Sequence, residues 1–134
     1  MIVIDAKDSI LGRVSSFVAK QALKGEDVSV VNCNQIIISG SKKNIQKEFE
    51  EKRARFGSSQ KGPIHNKASC EKIVKRAIRG MLPDHREGRG RVAFKKIKCY
   101  NEVPKEFEES EKVIVANKKT PKFSYLKEFT RKWA

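Results

Sequence analysis

The chain is poor in the residues that build metal and redox sites. It has three cysteines, two histidines and one tryptophan among 134 residues. Cys33, Cys70 and Cys99 are widely separated, no CxxC occurs, and the spacing of a zinc site is absent. These thiols are predicted to be small apolar residues kept reduced. Long apolar runs are lacking too. No window approaches the roughly 20 residues of a membrane span, and the run Ile2-Val3-Ile4 follows no basic leader region. The expectation is a soluble, cytoplasmic protein with no membrane partner and no metal or other cofactor.

Convergent catalytic groups are equally scarce. His65 and His85 both fall in basic stretches, where a base or metal ligand competes with simple phosphate or solvent contact. Residues 57–63 are glycine-containing, but no Gly-Lys-Ser/Thr closes them into a phosphate loop. Asp5, Asp8, Gly12 and Arg13 follow the first predicted strand, where open α/β sheets bind ligands. One glycine there fits a close strand–helix contact as well as a nucleotide. No catalytic residue and no small-molecule substrate are expected. A small nucleotide- or RNA-processing enzyme on a Rossmann-like core is the alternative reading.

What the chain has is positive charge. Thirty basic residues face 16 acidic ones, a formal net charge of +14. Residues 1–40 are neutral, residues 41–100 carry +12 and residues 101–134 carry +2. A charge of that size concentrated in one third predicts a polyanionic partner, RNA or DNA. A merely solvated basic surface is the plain alternative.

Periodicity predicts one domain, residues 1–134, in three parts. The first, about residues 1–40, reads as strand, helix, strand. Apolar runs at Ile2–Ile4 and Val28–Val31 flank a helix with Leu11, Val14, Val18 and Ala22 at helical spacing. Asp8 or Ser9 is the expected N-cap, and Gly25 the residue that ends the helix. Such a unit implies parallel pairing and a right-handed crossover. Ile36–Ile38 reads as a further strand.

The basic part, about residues 41–100, reads as a helix near 41–55, a loop over 57–67 and a second helix over 69–79. Gly80 is expected to end that helix, with Pro83 preventing its resumption. A basic glycine-containing loop follows over 83–91, then a strand at Ile97–Tyr100. The last part, about residues 101–134, combines an acidic patch, Glu102–Glu111, with an apolar run at Val113–Val115. A closing docking helix carries Tyr125, Phe129 and Trp133.

In the second basic helix Lys72, Lys75, Arg76 and Arg79 recur three and four apart, opposite the apolar stripe Ile73, Val74, Ala77 and Ile78. Like charges at that spacing repel, which makes sense if phosphates neutralise them. The candidate RNA contacts from charge are therefore Lys42, Lys43, Lys52, Arg53, Arg55, Lys61, His65, Lys67, Lys72, Lys75, Arg76, Arg79, Arg86, Arg89, Arg91, Lys95 and Lys96. Residues 57–100 contain only Phe94 and Tyr100 as aromatics. That argues against a platform of stacked bases and for recognition of RNA shape and backbone.

Several separated segments, in order, carry a family likeness. Residues 5–20, Val30–Cys33 and Ile38–Gly40 resemble the opening of the large-subunit ribosomal protein thirteen family. Arg76-Ala77-Ile78-Arg79-Gly80-Met81-Leu82-Pro83 is similar to that family's most recognisable segment. Residues 96–104 resemble the strand and proline turn that follow. Gly62-Pro63-Ile64-His65 favours the archaeal and eukaryotic branch, and residues 122–126 with Trp133 extend the likeness. Val14-Ser15 stands where the family usually has Leu-Ala, and residues 67–71 align only with a gap. The resemblance implies a three-layer α/β/α fold, a mainly parallel sheet of about four strands with helices on both faces, and basic RNA-binding loops. It also implies binding to large-subunit ribosomal RNA, contact with neighbouring ribosomal proteins, a part in early subunit assembly, and no catalysis. Arg76, Arg79 and the turn Gly80 to Pro83 carry over as RNA contacts from the signature segment, and Arg13 from the opening one.

Overall fold

The computed structural model describes residues 1–54, 69–115 and 120–130. Its elements in chain order are β1 (Ile2–Asp5), α1 (Leu11–Leu23), β2 (Val28–Val31), β3 (Ile37–Ser39), α2 (Lys42–Ala54), α3 (Cys70–Met81), α4 (Gly88–Lys95), β4 (Ile97–Cys99), β5 (Val113–Ile114) and β6 (Phe123–Tyr125).

The predicted parallel unit is present. Ile2 lies opposite Val28 and Asp5 opposite Val31. β4 adds beside β2 and β5 beside β1, both parallel, so the order is β4-β2-β1-β5. Parallel strands need covering on both faces. On one face Ile4, Val28, Val30 and Ile97 meet Val14, Val18 and Ala22 of α1, Val74 and Ile78 of α3, and Ala93 of α4. On the other, Val3 and Val31 pack against Phe107, with Tyr100 and Val103 beside it. Phe107 ends a single helical turn, Lys105–Phe107. The α/β class and the mainly parallel four-stranded sheet stand as expected.

α1 ends as its sequence predicts. Gly25 takes φ +99°, its amide donates to the Ala22 carbonyl, and the Glu26 amide reaches back to Gln21. This paired closure satisfies two carbonyls that the helix leaves open. The start of α1 differs from expectation. Neither Asp8 nor Ser9 caps it; the N-cap is Ile10, with no side-chain bond. Ser9 is fully buried and its hydroxyl donates to the Lys7 carbonyl at 3.3 Å. Asp8 turns at φ 55° and accepts the Tyr125 hydroxyl at 2.9 Å. Ile10 bridges to Ile37, and that pairing fixes where the helix begins.

Four further expectations are corrected. The third predicted strand begins one residue later and leaves the main sheet, pairing antiparallel with β6 through Ile37–Tyr125 and Ser39–Phe123. Gly80 does not end α3. The helix runs on to Met81, and Leu82 is extended at ψ 156°, because a residue before proline is pushed out of the helical region. Residues 88–95 are helix, not loop. The closing segment is not a helix through Tyr125 and Phe129. Tyr125 ends β6, a single turn Leu126–Glu128 follows, and Phe129 stacks on Phe49 at 5.4 Å with planes 3° apart. The predicted loop 57–67 and Trp133 lie outside the described residues.

Candidate nucleic-acid interface

α3 is strongly two-sided. Cys70, Val74 and Ile78 are buried, and burial of Val74 and of Ile78 each stabilises by about 1.5–3 kcal/mol. That anchoring fixes the rotation of the helix. Lys72 and Arg76 are then exposed, and Lys75 and Arg79 half-buried.

α4 is placed beside α3 by its glycines. Gly88 adopts φ +58° at the entry to the helix. Gly90 is buried, and a Cβ there would overlap the carbonyl oxygens of Pro83 and Asp84. Only a residue without a side chain lets the turn fold back this closely. The turn itself is tied by the Arg86 amide donating to Asp84 Oδ1 at 3.0 Å. One turn after Gly90, Ala93 enters the core and Phe94 lies half-buried beside it.

The two helices leave a groove of about 220 Å³ lined by Lys72, Lys75, Arg76, Arg79 and Phe94. The Lys75 ammonium sits 5.1 Å from the Phe94 ring centroid. His85 meets the same ring edge-on, at 6.0 Å and 64°. Burial, then the like charge of Arg79, lowers the Arg76 pKa below the usual guanidinium value. Among the described residues no carboxylate makes an ion pair with any of the four cations. Four cations and no facing acid form a site for anions.

Residues 1–106 match the model of the family described as Ribosomal protein L13. The chain belongs to this family. It is 45% identical over 118 residues to the large ribosomal subunit protein uL13 of Methanosarcina barkeri, covering 87% of this chain and 82% of that one. The protein of the same name from Archaeoglobus fulgidus is 40% identical, with 96% and 85% covered. That of Picrophilus torridus is 40% identical, with 98% and 95% covered. Family membership makes the chain a ribosomal protein of the large subunit, a structural component of the cytoplasmic ribosome and not an enzyme. The Rossmann-like enzyme alternative is thereby set aside. No helix among the described residues is long and apolar enough to cross a membrane.

Within this family member the predicted contacts fall into several groups. Lys72, Lys75, Arg76 and Arg79 come together in the groove. Arg86, Arg89, Arg91 and Lys95 are exposed on the adjoining turn and α4. Gly80 is exposed in the last turn of α3, with open space where a side chain would go. Lys42, Lys43 and Lys52 are exposed on α2, away from the groove lining, and Lys42 pairs with Glu128 at 3.3 Å. Arg13 is exposed in the first turn of α1. Lys96 is half-buried and donates to the Gly25 carbonyl at 2.7 Å at the surface. Arg53 lies on α2, and Arg55, Lys61, His65 and Lys67 lie outside the described residues.

Sequence reasoning missed Phe94 and His85 as members of this site. The signal available was the spacing Gly90, Ala93, Ile97, a small-to-apolar stripe at helical intervals. Once 88–95 is read as helix, that stripe turns Phe94 toward α3.

Proposed function

We propose that this protein binds large-subunit ribosomal RNA through the α3–α4 face and helps to order that RNA early in subunit assembly, beside neighbouring ribosomal proteins. The observation that carries the reading is the groove of Lys72, Lys75, Arg76 and Arg79, unopposed by acid among the described residues. Arginine forks bind phosphate in a bidentate manner, and each neutralised phosphate releases counterions. Arg86, Arg89, Arg91 and Lys95 extend the same charge along α4.

The test is titration of a large-subunit ribosomal RNA transcript at several salt concentrations, with Arg76, Arg79, Arg86, Arg89 and Arg91 all changed to alanine. The folded variant is expected to bind more weakly. Its salt dependence should flatten by about 0.7–0.9 in log–log slope for each phosphate that is no longer neutralised. Binding equal to the wild type by a folded variant would refute the reading.

A further inference from the structure

We propose that the α3–α4 groove holds one unstacked nucleotide of the RNA, its base against the Phe94 ring and its phosphate between Arg76 and Arg79. This rests on the RNA-binding reading above and makes it specific.

Phe94 is the one aromatic residue among the five that line the groove. Phosphate recognition requires cations, and a phenyl ring offers a phosphate nothing. An aromatic face flanked by cations suits a ligand with both a flat π-surface and a negative charge, as a nucleotide has. The ring is also held in place. His85 abuts its edge at 6.0 Å and Lys75 lies over it at 5.1 Å, so little side-chain freedom is forfeited when a base arrives. Lys75 occupies the position over the ring as a stand-in. Its flexible stem lets the ammonium swing aside to an incoming phosphate.

The groove's dimensions agree. A volume of about 220 Å³ equals several waters at about 30 Å³ each. That accommodates a planar ring system and excludes an RNA helix. Arg76 and Arg79 stand three apart on α3 and line the groove together, a pair of like charges whose repulsion an anion between them relieves. The other aromatic of residues 57–100, Tyr100, is committed elsewhere and packs on Phe107 at 5.8 Å. A single ring makes a niche for one base, consistent with a region too poor in aromatics for a stacking platform.

The experiment uses the full chain and two probes: a short single-stranded oligoribonucleotide carrying one 2-aminopurine, and a blunt RNA duplex of similar length. Phe94→Leu is expected to weaken single-strand binding about five-fold or more, the loss of one stacked base, with duplex binding unchanged. Phe94→Tyr should retain it. Aminopurine emission should change on saturation with wild type and not with Phe94→Leu. Arg76→Ala with Arg79→Ala should weaken binding of both probes. The niche is overturned if Phe94→Leu binds both probes as wild type does, or if emission does not respond to saturating wild-type protein. In that event weaker binding by the double arginine variant leaves the broader RNA reading standing. If the arginine variant also binds normally, the broader reading falls with it. Should Phe94→Leu fail to fold, the tyrosine variant and the wild-type emission still decide.

Discussion

The ammonium of Lys96 donates a 2.7 Å hydrogen bond to the carbonyl of Gly25, 71 positions earlier in the chain. A cation at the end of α1 completes a helix terminus whose carbonyls point outward. Lys96 therefore ties the end of α4 to the end of α1. Lys96→Met keeps the apolar stem and removes the donor. The expected loss is about 0.3–1 kcal/mol of stability, read as a lower urea midpoint, with the salt slope of RNA binding unchanged. An unchanged midpoint with a shallower slope would assign Lys96 to RNA instead.

Two glycines of the basic region should respond oppositely to alanine. Gly80 lies inside α3 with nothing near the position of an added Cβ. Gly80→Ala should stabilise by about 0.4–1 kcal/mol, chiefly by restricting the unfolded chain. Gly90→Ala meets the Pro83 and Asp84 carbonyls and should cost about 1–3 kcal/mol, as overpacking does. Thermal unfolding of the two variants checks the pair. Destabilisation by Gly80→Ala would mean that α3 stops before residue 80.

The Tyr125 hydroxyl donates to Asp8, and that bond, followed by desolvation, raises the Tyr125 pKa above its ordinary 10.0. The folded state thus holds the phenolic proton more tightly than the unfolded chain. Its contribution is complete below the unfolded value and declines as pH rises through the folded one. Wild type is expected to lose stability above about pH 10 more steeply than Tyr125→Phe, measured by urea unfolding across that range. Parallel curves would remove the bond from the account.

Cys33 is fully buried with its thiol donating to the Val30 carbonyl at 3.8 Å, and the neighbouring Cys99 thiol, together with burial, pushes its pKa far up from the ordinary value. The thiolate is the reactive form. Iodoacetamide at mildly alkaline pH should leave Cys33 unmodified in the native protein and alkylate it once denaturant is added. Peptide mass mapping reads this directly. Native labelling of Cys33 would contradict its burial.

The elements legible in the sequence are those whose signal is local. β1, α1 and β2 announce themselves through two apolar runs, a helical stripe and Gly25 at its end. α3 does so through Val74 and Ile78 on one side and four cations on the other. α4 is hidden because Gly88 and Gly90 have the composition of a loop, although Gly90 is there to let the helix approach Pro83 and Asp84. The pairing of β3 with β6 joins three residues to three others more than 80 positions away, and nothing in either run names its partner. The cap of α1 is illegible for the same reason, since the bond that occupies Asp8 comes from Tyr125. All four cations of the groove can be named from helical spacing. Phe94 cannot, because its place depends on α4 being a helix.

The pairing of β1 has a consequence for biosynthesis. This strand is made before both of its neighbours, one of which is β5, at Val113–Ile114, and the segment after it is latched by Tyr125. A chain emerging from the ribosome therefore carries an unfinished central strand until some 110 further residues have followed. Long-range closure of this kind is slow relative to local folding. Completion of the fold consequently waits until β5 and β6 have been translated, and the nascent intermediate exposes an open sheet edge to its surroundings until then.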